Sequence, residues 1–212
     1  MKKIKTLLTI LTILPFILLS ISCNPLSDDT RSASMLIVEN IMGTDMEENE
    51  VNFLQSDVIF QEPDEVGTII ADSAVVSFRG QLLDPASLTG PSHYNDITVT
   101  RYVVSYIRAD GRNTEGVDVP YSFEGNMSVV VAMDSTESAT FVIVREVAKL
   151  EPPLIGLQEW RDAGVINCTA KVDFYGQDQV GNTIKATGYL TIYFANYANA
   201  PEEIPEEILP GG

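Results

Sequence analysis

From about residue 35 onward, hydrophobic and polar positions alternate in short runs separated by turn residues. The last pair of runs is the clearest. Ile166, Cys168, Ala170, Val172 and Phe174 alternate with polar positions, and Ile184, Ala186, Leu190, Ile192 and Phe194 do so again after the turn at 176–182. Successive side chains of a strand point to opposite faces, so this spacing predicts a long antiparallel hairpin with one apolar face. Similar spacing predicts strands at 51–60, 68–80, 97–109, 121–133 with a break at Gly125, and 139–148, with 35–39 as an edge strand. Glu62-Pro63-Asp64, Asp84-Pro85, Gly90-Pro91, Asp110-Gly111 and the stretch 134–137 punctuate them as turns. Only 154–163 has helical spacing, and Gly156 interrupts it. Six or seven short strands without alternating helices predict an all-β protein, a single antiparallel β-sandwich over residues 35–198.

The two ends do not share this pattern. Lys2, Lys3 and Lys5 precede an apolar run from Leu7 to Ile21, and the segment closes on Leu19-Ser20-Ile21-Ser22-Cys23. A basic start, an apolar stretch of roughly 15 residues and small residues at the close describe an export signal over residues 1–22. The apolar stretch is shorter than the ~20 residues that a membrane-spanning helix needs. The close resembles the lipobox of bacterial lipoproteins. That resemblance implies that Cys23 becomes the first residue of the exported protein and carries the lipid. It also implies a location in the cell envelope, at the outer membrane, since Asn24 rather than Asp follows the cysteine. Residues 23–34 are polar and turn-rich and read as a tether. Residues 199–212 repeat Pro-Glu-Glu-Ile and read as an acidic, Pro-rich disordered tail.

Charge narrows the partners. With residues 1–22 removed, 10 basic residues face 30 acidic ones, a net charge of −20. Nucleic acid and anionic lipid head groups are bound through clustered Lys and Arg, so neither is an expected partner. If Cys23 is lipidated, Cys168 is left without an intrachain partner, and the domain has to stand on its apolar core. Cys168 shares a strand face with apolar residues and reads as a small buried hydrophobe.

The final hairpin, 165–175 and 183–194 around Asp178-Gln179-Val180-Gly181-Asn182, resembles the last two strands of bacterial immunoglobulin-like and fibronectin type III-like domains. The resemblance implies an immunoglobulin-like sandwich.

The sequence offers little for catalysis. His93 is the only histidine, which excludes a multi-histidine zinc site, and no nucleophile elbow, phosphate loop or Cys-x-x-Cys is present. Abundant carboxylates are expected to form close pairs by chance, so a carboxylate hydrolase is the weakest reading. Asp178 and Asn182 offer hard oxygen ligands that calcium prefers, yet Asp, Gly and Asn also close tight hairpins by local backbone bonding. Trp160 and Arg161 have the side chains of binding hot spots, and equally those that plug the end of a sandwich. Tyr189 and Tyr193, with Thr187 and Thr191, form a stripe on the face opposite Leu190 and Ile192. That stripe suits sugar or protein, although strand propensity also explains it. The chain is therefore expected to be a non-enzymatic binding or structural module without a cofactor. Its expected contacts are the membrane, through Cys23, and an envelope protein or polysaccharide. A carbohydrate- or calcium-dependent binding module is the alternative.

Overall fold

The computed structural model describes residues 32–59, 67–86, 90–158 and 164–197. Cys23, Trp160, Arg161 and the tail at 199–212 lie outside them. The described chain is an all-β sandwich built from β1 (Ser34–Thr44), β2 (Glu50–Val51), β3 (Phe53–Asp57), β4 (Asp72–Leu82), β5 (Ile97–Ile107), β6 (Phe123–Val131), β7 (Thr136–Val144), β8 (Ile166–Asp178) and β9 (Thr183–Ala195). One sheet has the order β2-β1-β4-β7, the other β3-β9-β8-β5-β6. Every strand pairing is antiparallel except β3 with β9, which run parallel, so the larger sheet is mixed.

The inward faces follow the period-two pattern. Cys168, Ala170, Val172 and Phe174 of β8 are buried beside Ile184, Ala186, Leu190, Ile192 and Phe194 of β9. Between the sheets, Phe78 and Phe141 meet Phe174 edge-on at 4.9 and 5.4 Å, and Tyr102 meets Phe141 at 5.0 Å. Aromatic rings bury roughly 150–250 Å² each, so this cluster supplies much of the core. Cys168 is buried and unbridged, and burial pushes its thiol up to about 11, against the weaker pull of Arg108.

Three strand expectations are corrected. The first strand is longer than expected: it runs from Ser34 to Thr44, lying at the edge beside β4 over 35–39 and gaining the two-residue β2 as a second neighbour only at Gly43 and Thr44. Its register slips between Val38 and Asn40, leaving Glu39 as an extra bulged residue. A bulge moves the inward positions by one, from Leu36 to Ile41, and this conceals the strand's continuation from a strict period-two reading. β6 passes through Gly125 unbroken, because the ring of Tyr102 packs where a Cβ would stand. The run expected at 139–148 ends at Val144 and is followed by a single-turn helix, Glu146–Lys149, which turns Ala148 and Lys149 inward. Where a helix is expected at 154–163, the structure has a short 3-10 turn, Leu154–Leu157, and 159–163 lie outside the described residues.

The sandwich has two distinct ends. At one, Ser34 Oγ donates to Asn95 O at 2.7 Å and Ser32 bonds the Asp178 carboxylate, so the chain enters the domain beside the β8–β9 turn. At the other, β3, β8 and β9 meet the start of β4. Lys149 Nζ donates to Asp57 O at 2.7 Å and to Asp72 Oδ1 at 2.9 Å, and Ser56 Oγ donates to Asp72 Oδ2 at 2.6 Å. The 13 residues of β8 separate the ends by about 40 Å at ~3.3 Å per residue.

Candidate functional site

The outward side chains of β9 and β8 form rows across the larger sheet: Tyr193 opposite Asn167, Thr191 opposite Thr169, and Tyr189 opposite Lys171. Tyr189 and Tyr193 thus share the outer face, while Leu190 and Ile192 are buried on the inner one. Their surroundings differ. Tyr189 is exposed near the middle of the strand. Tyr193 is braced: Phe53 of β3 meets its ring edge-on at 5.8 Å, and Tyr197 Oη donates to its carbonyl at 3.3 Å.

Beside Tyr193 stands the connection from β5 to β6, residues 108–122. So long a connection is either disordered or built for a purpose, and this one is held by its own bonds. Arg108 N donates to Asn113 Oδ1 at 2.7 Å, Thr114 N to Asp118 Oδ2 at 3.2 Å, and Ser122 N to Glu115 Oε1 at 3.1 Å. Val119 is buried beneath it. Gly116 has φ +71 and lies against the Tyr121 ring, where a side chain would collide, so glycine serves there both for conformation and for space.

At the start of this loop two arginines share one carboxylate. Asp110 Oδ2 accepts from Arg108 Nη2 at 2.7 Å and from Arg112 Nε at 3.0 Å, and Asp110 Oδ1 accepts from Arg108 Nε at 3.2 Å and Arg112 N at 3.1 Å. These bonds, the one from Arg108 first, hold the Asp110 carboxyl well below the usual carboxylate range, and Asp110 in turn raises Arg108. The three groups carry a net charge of +1. Arg108 and Asp110, but not Arg112, border a cleft of about 420 Å³ whose floor is Asn167, Thr169, Thr191 and Tyr193, and whose apolar rim is Ile107 and Val165. Among the described residues no hydrogen bond occupies the side chains of Asn167, Thr169 or Thr191.

The rest of the face is closed on itself. Asp173 accepts from Lys171 at 3.1 Å, from Lys185 at 3.0 Å and from Thr187 Oγ1 at 2.6 Å. Burial opposes the charge on Asp173, yet those bonds together lower its carboxyl. Arg101 lies 4.3 Å over the Tyr175 ring and pairs with Glu124 at 2.9 Å. Of the eight basic residues among those described, Arg101, Arg108, Arg112, Lys171 and Lys185 lie on this face or its loop.

Other sequence-predicted positions fall elsewhere. Asp178 Oδ1 accepts from Val180 N at 3.0 Å and Asn182 N at 2.9 Å, and its Oδ2 accepts from Asn182 Nδ2 at 2.9 Å, so both oxygens are used in closing the turn. His93 sits in an exposed 3-10 turn, its Nδ1 3.2 Å from Asp96 Oδ2. Among the described residues no group of three or more His, Cys, Asp or Glu is placed to hold a metal. In the sequence Asp110-Gly111 has the signature of a turn, and the arginines that flank it carry no recognised motif. The signal was the spacing Arg108-x-Asp110-x-Arg112, which puts two cations within reach of one carboxylate. No protein-family model matches the chain, and no curated protein matches it.

Proposed function

We propose that this protein is a lipid-anchored envelope lipoprotein, joined through Cys23 to the outer membrane, whose immunoglobulin-like sandwich is a non-enzymatic binding module. The observation that carries the reading is the separation of the ends. The chain enters beside the Asp178 turn, and the cleft under the Arg108–Asp110–Arg112 loop lies about 40 Å away at the other end of β8. A tether at the entry end would direct the cleft away from the membrane. The site's makeup suits recognition better than reaction: a braced ring, amide and hydroxyl side chains, and guanidinium groups held by a carboxylate that stays ionised. The surrounding negative charge speaks against nucleic acid and anionic lipid as the bound partner.

Site-specific photo-crosslinking in cells tests this. Both Val165, on the cleft rim, and Val180, at the tether end, are exposed. A photoreactive residue at 165 should capture a defined envelope component that the same residue at 180 does not. Equal capture at both positions, or capture only at 180, would overturn the reading.

A further inference from the structure

We infer that Lys149 and Asp72 condense to an isopeptide bond, an amide between Nζ and Cγ that cross-links the single-turn helix to the first residue of β4. The ion pair is the reactant and the amide its product. The two groups are already apposed. Nζ lies 2.9 Å from Asp72 Oδ1, which is bonded directly to Cγ, and the side chains are 0% and 14% exposed. Groups held together in a productive geometry can react with effective molarities of roughly 10⁵–10⁸ M. Gln158 closes over the lysine backbone, donating to Lys149 O at 2.8 Å and to Val58 O at 3.1 Å. No disulfide does this work, since Cys168 is free.

The surrounding hydrogen bonds suit an amide better than two ions. An ammonium has three protons to donate, and a carboxylate has about four acceptor sites. Among the described residues Nζ donates only to Asp57 O, at 2.7 Å, and to Asp72 itself. The Asp72 carboxylate accepts only from Lys149 and, on Oδ2 at 2.6 Å, from Ser56 Oγ. Apart from the contact within the pair, the site therefore supplies one acceptor and one donor. An amide uses both: its N–H donates to Asp57 O, and its oxygen accepts from Ser56. Condensation also removes two charges that are costly to keep out of water.

The step balances without a co-reactant. A proton passes from Nζ to Oδ1 along their hydrogen bond, leaving a neutral amine and a neutral acid. Burial raises the Asp72 carboxyl, against the pull of Lys149 and Ser56, and so favours that transfer. The Nζ lone pair attacks Cγ, and Ser56 stabilises the charge that gathers on Oδ2. A second proton moves from nitrogen to Oδ1, the Cγ–Oδ1 bond breaks, and one water leaves.

Mass spectrometry of the protein isolated from cells, denatured and then digested with trypsin, tests this. Trypsin does not cut after an acylated lysine. The main form should be one branched peptide, residues 32–79 joined to residues 146–161, lighter by one water than the two segments together. Lys149→Arg keeps a cation that cannot form the amide, and it should release 32–79 as a linear peptide. Cleavage after Lys149 in the parent, with 32–79 linear and of full mass as the main form, would overturn the inference. Loss of water from a single linear peptide, as a succinimide at Asp72 or Asp110 would give, would also overturn it. So would a branched peptide that persists in Lys149→Arg. None of these outcomes depends on what the cleft binds.

Discussion

Lys149 Nζ stands 2.9 Å from Asp72 Oδ1, with the lysine side chain wholly out of solvent and Asp72 nearly so. The pair joins the single-turn helix to β4, and the second bond of the lysine, to Asp57 O, reaches the other sheet. Gln158 adds to the same clasp, donating to Val58 O at 3.1 Å and Lys149 O at 2.8 Å. Burial raises the Asp72 carboxyl above its ordinary value, although Lys149 and Ser56 pull it down. A buried charge is therefore held at the end of the sandwich that carries the cleft.

Removing the cation should be costly. Lys149→Met leaves Asp72 buried without its partner, and breaking such pairs typically costs about 3–5 kcal/mol. The stranded carboxyl would rise further above its unfolded value of about 3.9. A carboxyl raised in the fold opposes folding once the unfolded chain ionises, so the variant should lose stability as pH rises above about 4. Urea unfolding at pH 4 and pH 7 measures this, and Lys149→Met with Asp72→Asn should be less impaired at pH 7 than Lys149→Met alone.

Two glycines should respond unequally to alanine. At Gly176, opposite Val99 beside the β5 bulge, a Cβ would stand 2.4 Å from Thr98 O. Backbone cannot swing aside, so Gly176→Ala should cost on the order of 2 kcal/mol, within the range for overpacking. Gly156 has open space around it and an ordinary φ. Gly156→Ala should change stability by no more than about 0.5 kcal/mol. Similar losses in both would remove the steric argument.

Much of the sandwich was legible because one face of each strand is buried, and burial writes itself as period two. The final hairpin shows its bounds to within a few residues for that reason. In β1 the pattern loses its phase at Glu39, which bulges, so the strand's second half is hidden. The Lys149 clasp was illegible because its partners, Asp57 and Asp72, come from distant strands and a lone lysine in sequence reads as solvated. Tyr193 was legible as an outward residue on β9. Its neighbours Arg108 and Asp110 were not, since only the pairing of β5 with β8 brings their loop beside it.

Anchoring is tested by Cys23→Ala. If the thiol at residue 23 carries the lipid, this variant should leave the membrane fraction or accumulate as uncleaved precursor. A protein that is processed and sediments with membranes like the parent would show that another feature holds it there.

Asp178 separates turn from metal site. Its carboxylate accepts bonds from Val180 N, Asn182 N and Asn182 Nδ2 and is bonded by Ser32, so Asp178→Ala should cost more than one local bond, about 2 kcal/mol. Burial opposes the charge, but these bonds together lower the carboxyl below its ordinary value. A carboxyl depressed in the fold stabilises fully above the unfolded value of about 3.9, and that stabilisation is lost as pH falls toward the folded value. Asp178→Asn can keep the two backbone bonds but sets its amide against that of Asn182. It should therefore be moderately destabilised at pH 7 and lose less than the parent on going from pH 5 to pH 2. Calcium should shift the melting temperature of neither, because both oxygens are already engaged. A calcium-dependent rise in the parent that Asp178→Ala abolishes would instead assign the turn to a metal, since saturation a hundredfold above Kd stabilises by about 2.7 kcal/mol.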